Sequence, residues 1–297
     1  MGYYFTMRIL VTGALGLLGK EISSFKQNDF EIIALSHKDI ELTNQTSADE
    51  AISKYKPDAI INTAVIVSVD KCEADEKLCF DVNTRGVEYL IYAFQKSGAR
   101  GPFIQISSSE VFGRVREGEY KIEGYSEEEK PMPVSAYQRS KTEAEEIVKM
   151  AGEKQKTPWY VVRAGWLYGK GRETFVEQFI KKLQEEKEVE VIVDQWRSPT
   201  WTGDFVKSLF DLIKSKRESG IYHIAPDIKV GEATTMDVIN EISEFLGKKA
   251  KATYKMVKRD SVFKVPRAPS NVILNTKLPK LPYWRDSLRN YLQSLYN

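Results

Sequence analysis

Two side chains that can move a proton stand four residues apart in the segment SAYQRSKTEAEE. They are Tyr137 and Lys141, and residues with this spacing lie on one face of a helix. A phenol with its ordinary pKa of about 10 is a poor acid or base at neutral pH unless a fixed cation shifts that value. The lysine ammonium is such a cation, and Ser108 adds a hydroxyl in the loop after a predicted strand. An exposed surface pair has the same spacing, so these residues alone leave both interpretations open.

The segment VTGALGLLGKEI places three glycines between the first predicted strand and the first predicted helix. Gly13 permits a tight turn, Gly16 lets the backbone approach a pyrophosphate, and Gly19 lets helix and strand pack closely. Amides around Leu17 and Leu18 then face the phosphates from the positive end of the helix. In this strand–turn–helix context the spacing predicts a dinucleotide site rather than a turn that serves packing alone.

The end of the second predicted strand bears on the choice of cofactor. A sheet that selects NAD usually carries an acid here, which binds the ribose hydroxyls. This chain has Ser36 at that position, and His37 and Lys38 follow and could accept a 2′-phosphate. The sequence therefore favours NADP(H) and leaves NAD(H) open, with an ordinary solvated lysine as the alternative for Lys38.

Alternating strands and helices must position these groups. Nearly continuous apolar runs predict strands buried on both faces of a parallel sheet, at residues 8–12, 31–35, 58–62, 102–107 and 159–164. Amphipathic segments between the runs predict helices. This order predicts an α/β fold, a doubly wound parallel Rossmann sheet with a smaller C-terminal substrate-binding lobe.

The pattern changes after residue 166, where helices alternate with short strands and a proline-rich segment follows. We expect residues 1–165 to form the NAD(P)-binding Rossmann domain, with 200–225 returning to it. Residues 166–199 and 226–297 are then expected to build the substrate-binding lobe.

Composition excludes several classes of function. Lys plus Arg number 44 against 42 for Asp plus Glu, and this near balance argues against a general nucleic-acid binder. Two histidines make a histidine metal centre very improbable, and Cys72 and Cys79 match neither a zinc site nor a redox pair, so no metal is expected. Reduced cysteines and the lack of a long apolar run indicate a cytoplasmic protein without a membrane span.

Together with the glycine segment, the set Ser108, Tyr137 and Lys141 resembles that of the extended short-chain dehydrogenase/reductases. The resemblance implies that Tyr137 exchanges a proton with the substrate oxygen while a nicotinamide exchanges a hydride. Lys141 would lower the pKa of Tyr137 and hold the nicotinamide ribose. Ser108 would orient the substrate carbonyl.

Within this superfamily the chain resembles the dTDP-4-dehydrorhamnose reductase family from Met7 onward. The segments that carry this resemblance are VDKCEADEKLCFDVN (69–83), RAGWLYGKG (163–171), DQWRSPTWTGDF (194–205), GIYHI (220–224) and, more loosely, PRAPSNVILNT (266–276). The resemblance implies that NADPH reduces the 4-keto group of a nucleotide-linked deoxysugar, most simply dTDP-4-dehydro-L-rhamnose to dTDP-L-rhamnose. A homodimer is a further expectation from the family.

The resemblance also assigns roles to further residues. The pyrophosphate would be held by Gly16, Leu17 and Leu18, and the adenine would be flanked by Glu41 and Leu42. The nicotinamide side would be lined by Ala64, Val65, Ile66 and Val67. The sugar would be faced by Ser108, Ser109 and Trp166, although Trp166 in isolation would be interpreted as a core residue. Arg197 and Arg267 are candidates for the substrate diphosphate, and Glu110 is counted among the substrate-binding residues.

Glu110 leaves the type of reaction open. The reductases typically have Ser-Thr-Asp-Tyr where this chain has Ser107 through Glu110. Nucleotide-sugar 4,6-dehydratases carry a hydroxyl residue followed two positions later by a Glu that removes the C5 proton, and Ser108 with Glu110 fits that spacing. A dehydratase or epimerase is therefore one alternative, and a Glu110 that turns outward to solvent is another.

A non-catalytic role is the third alternative. The regulatory β-subunit of methionine adenosyltransferase resembles the same reductases and binds NADP, so this chain could be a binding subunit. The presence of Ser108, Tyr137 and Lys141 together favours an enzyme.

Overall fold

The computed structural model describes residues 6–296. The strands are β1 (Met7–Thr12), β2 (Phe30–Leu35), β3 (Ala59–Asn62), β4 (Phe103–Ser108), β5 (Trp159–Ala164), β6 (Trp166–Tyr168), β7 (Glu188–Ile192), β8 (Pro199–Trp201), β9 (Gly220–Ile224) and β10 (Thr253–Val257). The helices are α1 (Leu17–Ser24), α2 (Gln45–Tyr55), α3 (Val69–Ala74), α4 (Glu76–Phe80), α5 (Gly86–Lys96), α6 (Ala136–Gln155), α7 (Phe175–Glu185), α8 (Thr202–Ser215), α9 (Thr235–Leu246), α10 (Arg259–Val262) and α11 (Trp284–Tyr296). A π-helical turn, Asp81–Arg85, joins α4 to α5.

Six strands form the main sheet in the order β2-β1-β3-β4-β5-β9. Strand β1 lies between two parallel partners, so that Ile9 is opposite Ile32 of β2 and Ala59 of β3. The strand order reverses at β1, and ligands of such sheets bind beyond the carboxyl ends of the strands at this switch point. The predicted doubly wound α/β fold is confirmed, and each of the five predicted sheet strands is found within one residue of its expected ends.

The sheet is covered on both faces. Alternate strand residues, among them Leu10, Ile60, Phe103 and Val161, pack against apolar side chains of α2, α5 and α6. Their neighbours along the strands, such as Ile9, are equally buried but lie outside that cluster. Because successive strand residues point to opposite faces, these neighbours occupy the other side. The near-continuous apolar runs in the sequence follow from burial on both sides.

By its internal contacts the chain forms two compact units. The first contains the chain up to Ser108, Ser135–Arg163 and Phe210–Tyr222. The second contains Ser109–Val134, Ala164–Leu209 and the chain from His223 onward. The domain boundaries expected from the sequence stay a prediction, and residues 109–134 group with the second unit.

The second unit has its own core. Two-stranded parallel sheets, β6 with β8 and β7 with β10, accompany helices α7, α9 and α11. Fully buried Trp284, Leu288 and Leu292 on α11 share a cluster with Val176 of α7. No helix within residues 6–296 is both long and apolar enough to cross a membrane.

A buried ion pair ties helix α6 to strand β5 in the first unit. Arg163 Nη2 lies 2.7 Å from Glu145 Oε2, and the two side chains are 0 and 3% exposed. Ser107 Oγ on β4 donates a hydrogen bond of 2.5 Å to the same carboxylate. A buried charge without its partner keeps the full cost of leaving water, so each member of this pair depends on the other.

We expect Arg163→Met to lower the free energy of unfolding by about 3–5 kcal/mol, because it leaves the Glu145 carboxylate buried without its cation. Urea denaturation measures this change. Arg85→Met is the matched control, since Arg85 pairs with Asp81 at 2.8 Å but is 62% exposed. An exposed pair contributes less than about 1 kcal/mol. Equal losses in the two variants would contradict the role assigned to the buried pair.

Candidate active site

The glycine turn after β1 requires glycine at two positions. Gly13 has a φ of +68°, and a Cβ on it would stand 2.7 Å from the backbone nitrogen of Ala64. A Cβ on Gly19 would stand 2.2 Å from the carbonyl oxygen of Gly13. Any side chain at either position would therefore push the turn away from α1 or β3.

Helix α1 begins directly after this turn, and within residues 6–296 no side chain caps its N-terminus. Gly16 is its N-cap residue, and the first turn contains no acidic residue. Leu17 and Leu18 are buried, and their amides belong to the first turn of the helix. An uncapped N-terminus at a sheet switch point fits a pyrophosphate, because its amides and the helix dipole both favour an anion.

The loop after β2 places the residues expected on the adenosine side. His37 and Lys38 are exposed, whereas the Ser36 hydroxyl and amide both donate to Asp39 Oδ2, at 2.7 and 2.8 Å. These hydrogen bonds lower the pKa of the Asp39 carboxyl. Position 36 carries no acidic side chain, but the Asp39 carboxylate, three residues later, is hydrogen-bonded to Ser36.

The expected adenine contacts differ from each other in exposure. The Glu41 side chain accepts hydrogen bonds from the amide and hydroxyl of Thr43, which lower its pKa. Leu42 is 6% exposed and packs into the core beside α5. Its side chain therefore contributes mainly to the core.

Asn83 organises the segment expected on the nicotinamide side. Its amide oxygen accepts from Ile66 N at 2.8 Å, and its amide nitrogen donates to Ile66 O at 3.2 Å. The same nitrogen donates to Ser140 Oγ on α6 at 3.1 Å. Asn83 therefore holds residues 64–67 in register with the helix that carries Tyr137 and Lys141.

Helix α6 presents Tyr137 and Lys141 from its first turns. Its start is fixed by a capping box, in which Gln138 N donates to Ser135 Oγ and Ser135 N donates to Gln138 Oε1. Tyr137 is 6% exposed and Lys141 is 3% exposed. Burial of both excludes the interpretation of an ordinary solvated surface pair.

Burial and the neighbouring charge of Glu145 act in opposite directions on the charged form of Lys141. Burial lowers the pKa of Lys141 from 10.5 to about 8, while the charge of Glu145 opposes this shift. The ammonium donates a hydrogen bond of 2.7 Å to the carbonyl oxygen of Ile106 on β4. Lys141 is therefore mostly charged at neutral pH and fixed in place. Ser108, at the end of the same strand, is partly exposed.

The second unit contains the remaining residues expected to face the substrate. Ser109 is buried in a short helical turn that also includes Glu110. The Glu110 carboxylate accepts a hydrogen bond of 2.7 Å from Asn271 and lies 3.7 Å from Arg197. Glu110 is only 15% exposed, so the interpretation in which it turns outward to solvent is wrong.

Trp166 and the two arginines lie in this second unit as well. The Arg197 guanidinium carbon lies over the Trp166 ring, 4.9 Å from its centroid. Arg267 is 8% exposed, and its charge contributes to a lowered pKa of Arg197, for which burial is the larger cause. No role was predicted for Asn83, Glu145 or Asn271, because their spacing matches no motif, although Asn83 and Asn271 lie in segments that resemble the reductase family.

The parallel sheet, the glycine turn and the buried Tyr137–Lys141 pair define a protein of the short-chain dehydrogenase/reductase class. The chain belongs to the RmlD substrate binding domain family, whose model matches residues 7–297.

Known proteins of similar sequence and structure agree with this assignment. The chain is 30% identical over 291 residues to the spore coat polysaccharide biosynthesis protein SpsK of Bacillus subtilis, covering 96% of this chain and 97% of that one. It superposes on dTDP-4-dehydrorhamnose reductase of Bacillus anthracis in complex with NADP with a TM-score of 0.85, at 25% identity and covering 97% and 99% of the two chains. For a dTDP-4-dehydrorhamnose reductase of Clostridium acetobutylicum the TM-score is 0.86, at 29% identity and covering 98% and 100% of the two chains. The resemblance to this reductase family is confirmed.

The lowered pKa of Lys141 predicts a pH-dependent stability. Between about pH 8 and pH 10.5 the unfolded chain keeps a proton that the folded protein has released, so stability gains from rising pH in this window. We expect the free energy of unfolding of the wild type, relative to Lys141→Met, to rise across it.

Urea denaturation of both proteins near the two ends of this window measures the effect. Lys149→Met, which changes an exposed lysine on the same helix, is the control, and the difference in free energy of unfolding between wild type and this variant should not change with pH. Parallel pH curves for wild type and Lys141→Met would show that Lys141 titrates normally.

Proposed function

We propose that the chain is an NADPH-dependent reductase of the 4-keto group of a nucleotide-linked deoxysugar. The most direct substrate is dTDP-4-dehydro-L-rhamnose, with dTDP-L-rhamnose as the product. The buried Tyr137–Lys141 pair carries this proposal, because an acid–base phenol with a fixed cation is what reduction of a ketone requires. The names of the reductases that this chain resembles support the substrate class.

The described residues fit a bound NADP(H). The uncapped start of α1 and the close approach of Gly13 to Ala64 suit the pyrophosphate, and the exposed Lys38 suits a 2′-phosphate. The segment held by Asn83 suits the nicotinamide side. When bound, NADPH supplies the hydride that reduces the ketone carbon. The complex of the Bacillus anthracis reductase with NADP supports this choice of cofactor.

The protein residues handle the proton. Tyr137 donates its phenolic proton to the oxygen of the ketone as that oxygen gains charge, and it becomes a phenolate. The Lys141 ammonium, held by the Ile106 carbonyl, stabilises the phenolate through its positive charge. Ser108 donates a hydrogen bond that orients the ketone oxygen.

We further propose that the remaining predictions about location and assembly hold. The protein would act in the cytoplasm on a nucleotide sugar, and a homodimer stays a prediction from the family. A regulatory subunit without turnover is disfavoured by the burial and fixation of Lys141.

We expect Tyr137→Phe to lower kcat by at least about a hundredfold, because the proton donor is lost while the ring still packs. The measurement is NADPH oxidation at 340 nm with dTDP-4-dehydro-L-rhamnose, combined with a fluorescence titration of NADPH binding. NADPH affinity should change little. Tyr160→Phe is the matched control, since its buried hydroxyl donates to Arg217 O in the same unit. Near-wild-type turnover in Tyr137→Phe would refute the mechanism.

We expect Lys38→Ala to raise the KM for NADPH about tenfold and to leave the KM for NADH almost unchanged, because only NADPH carries the 2′-phosphate. Steady-state kinetics with each cofactor measures the two constants. Lys26→Ala, at another exposed lysine of the same unit, is the control. An equal effect on both cofactors would remove the role of Lys38 in selecting NADPH.

A further inference from the structure

Glu110 belongs to a small cluster of charged and aromatic side chains in the second unit. Its Oε1 accepts from Asn271 Nδ2 at 2.7 Å and lies 3.7 Å from Arg197 Nη1. The side chains of Glu110 and Arg197 are 15 and 13% exposed. At 3.7 Å the second contact is an ion pair and not a hydrogen bond. The carboxylate is thus fixed by Asn271 and acts on Arg197 through its charge.

The Arg197 guanidinium is held against an aromatic stack. Its central carbon is 4.9 Å from the centroid of Trp166. Phe175 stacks on the same indole with a centroid distance of 3.4 Å and an interplanar angle of 15°. No guanidinium fits between two rings this close, so Arg197 lies on the opposite face of the indole. Both faces of Trp166 are therefore covered within the second unit, and the ring serves as a support for Arg197.

The backbone beside Arg197 is fixed from two sides. Arg197 N donates to Ala233 O at 3.2 Å, and Trp196 N donates to Pro269 O at 2.8 Å. Asn271 N in turn donates to Trp196 O at 3.3 Å. Asn271 therefore links the backbone that carries Arg197 to the carboxylate that faces it. One rigid frame sets the positions of both charges.

The hydrogen-bond donors of the Arg197 side chain are not used within this frame. Among residues 6–296, none accepts a hydrogen bond from its guanidinium nitrogens. Arg267 is near enough for its positive charge to act on Arg197. Two cations and one carboxylate leave a net positive charge in a largely buried place. A guanidinium with free donors and this surplus charge suits a diphosphate, whose oxygens accept paired hydrogen bonds.

We propose that Glu110 is a positioning residue, which holds the Arg197 guanidinium on the Trp166 ring so that its donors meet the diphosphate of the nucleotide sugar. This inference rests on the function proposed above and gives Glu110 a task other than removal of a sugar proton. The Glu110 carboxylate accepts a hydrogen bond from Asn271 and pairs with Arg197. A dehydratase base, which must remove a proton from the sugar, does not require these two contacts.

The direct test is Glu110→Gln. A glutamine oxygen accepts the same hydrogen bond from Asn271, so the fold is kept while the charge that orients Arg197 is lost. The KM for the dTDP-4-keto sugar is expected to rise about tenfold, with kcat within about threefold of wild type and the KM for NADPH unchanged. Glu117→Gln, at an exposed position of the same segment, is the matched control and should match wild type.

A double-mutant cycle separates positioning from a general structural effect. Arg197→Lys keeps the charge but loses the planar donors, and it should raise the same KM. If Glu110 acts through Arg197, adding Glu110→Gln to Arg197→Lys should give little further increase. Independent, additive effects would overturn the proposal. Asn271→Ser removes the hydrogen bond to Glu110 but keeps its charge, and it should also raise the KM for the sugar. This variant replaces Glu110→Gln as the test if Glu110→Gln lowers the melting temperature.

Each other outcome of Glu110→Gln also rules against the inference. A large fall in kcat at constant KM would assign proton transfer to Glu110. A lower KM would show that Glu110 merely repels the diphosphate, and kinetics equal to those of Glu117→Gln would show no role at all. If wild type fails to turn over the sugar, the proposed function is refuted, and calorimetric titration with dTDP decides the inference: weaker binding to Glu110→Gln supports it, and equal binding overturns it.

Discussion

The burial of the Lys141 ammonium is the constraint on which the rest of the first unit depends. A charge taken out of water must recover its hydration from the protein. Lys141 recovers part of it from the Ile106 carbonyl and part from the negative charge of Glu145, one helical turn further along α6. The Glu145 carboxylate can in turn be buried because Arg163 and Ser107 bind it. The reactive lysine is therefore the outer member of a chain of charges that reaches into the centre of the sheet.

The same chain of contacts explains why helix α6 can be rigid at its reactive end. Its first turn is capped by Ser135 and Gln138. In its interior, Glu145 binds Arg163 on β5 and Ser107 on β4. Asn83 joins Ser140 on this helix to the backbone of Ile66. Tyr137 and Lys141 are thus held relative to the loop after β3 by side chains that take no part in the reaction. Precision at a catalytic group comes from such supporting contacts.

Sequence patterns predicted the features that depend on neighbours in the chain. The glycine turn, the five strands and the Tyr137–Lys141 pair follow from spacing and periodicity, which are local properties. The position of Glu110 could not be predicted in this way, because its partner Asn271 lies 161 residues later. Trp166 shows the same limit: the family resemblance placed it toward the sugar, whereas Phe175 and Arg197 cover the ring. Motifs thus located the chemistry, and the tertiary contacts that orient it had to be seen.

The π-helical turn Asp81–Arg85 sets the direction, about the helix axis, in which the side chains of α5 point. Gly86 N bonds to Asp81 O, five residues back, so this turn holds one residue more than an α-helical turn. That extra residue offsets α5 by about 100° relative to an uninterrupted helix. Asn83 can therefore point toward Ile66 and Ser140 while Val87, Leu90 and Phe94 still face the core. In an uninterrupted α-helix positions 83, 87, 90 and 94 would lie in one stripe, and the extra residue instead turns Asn83 away from the face of α5 that carries Val87, Leu90 and Phe94.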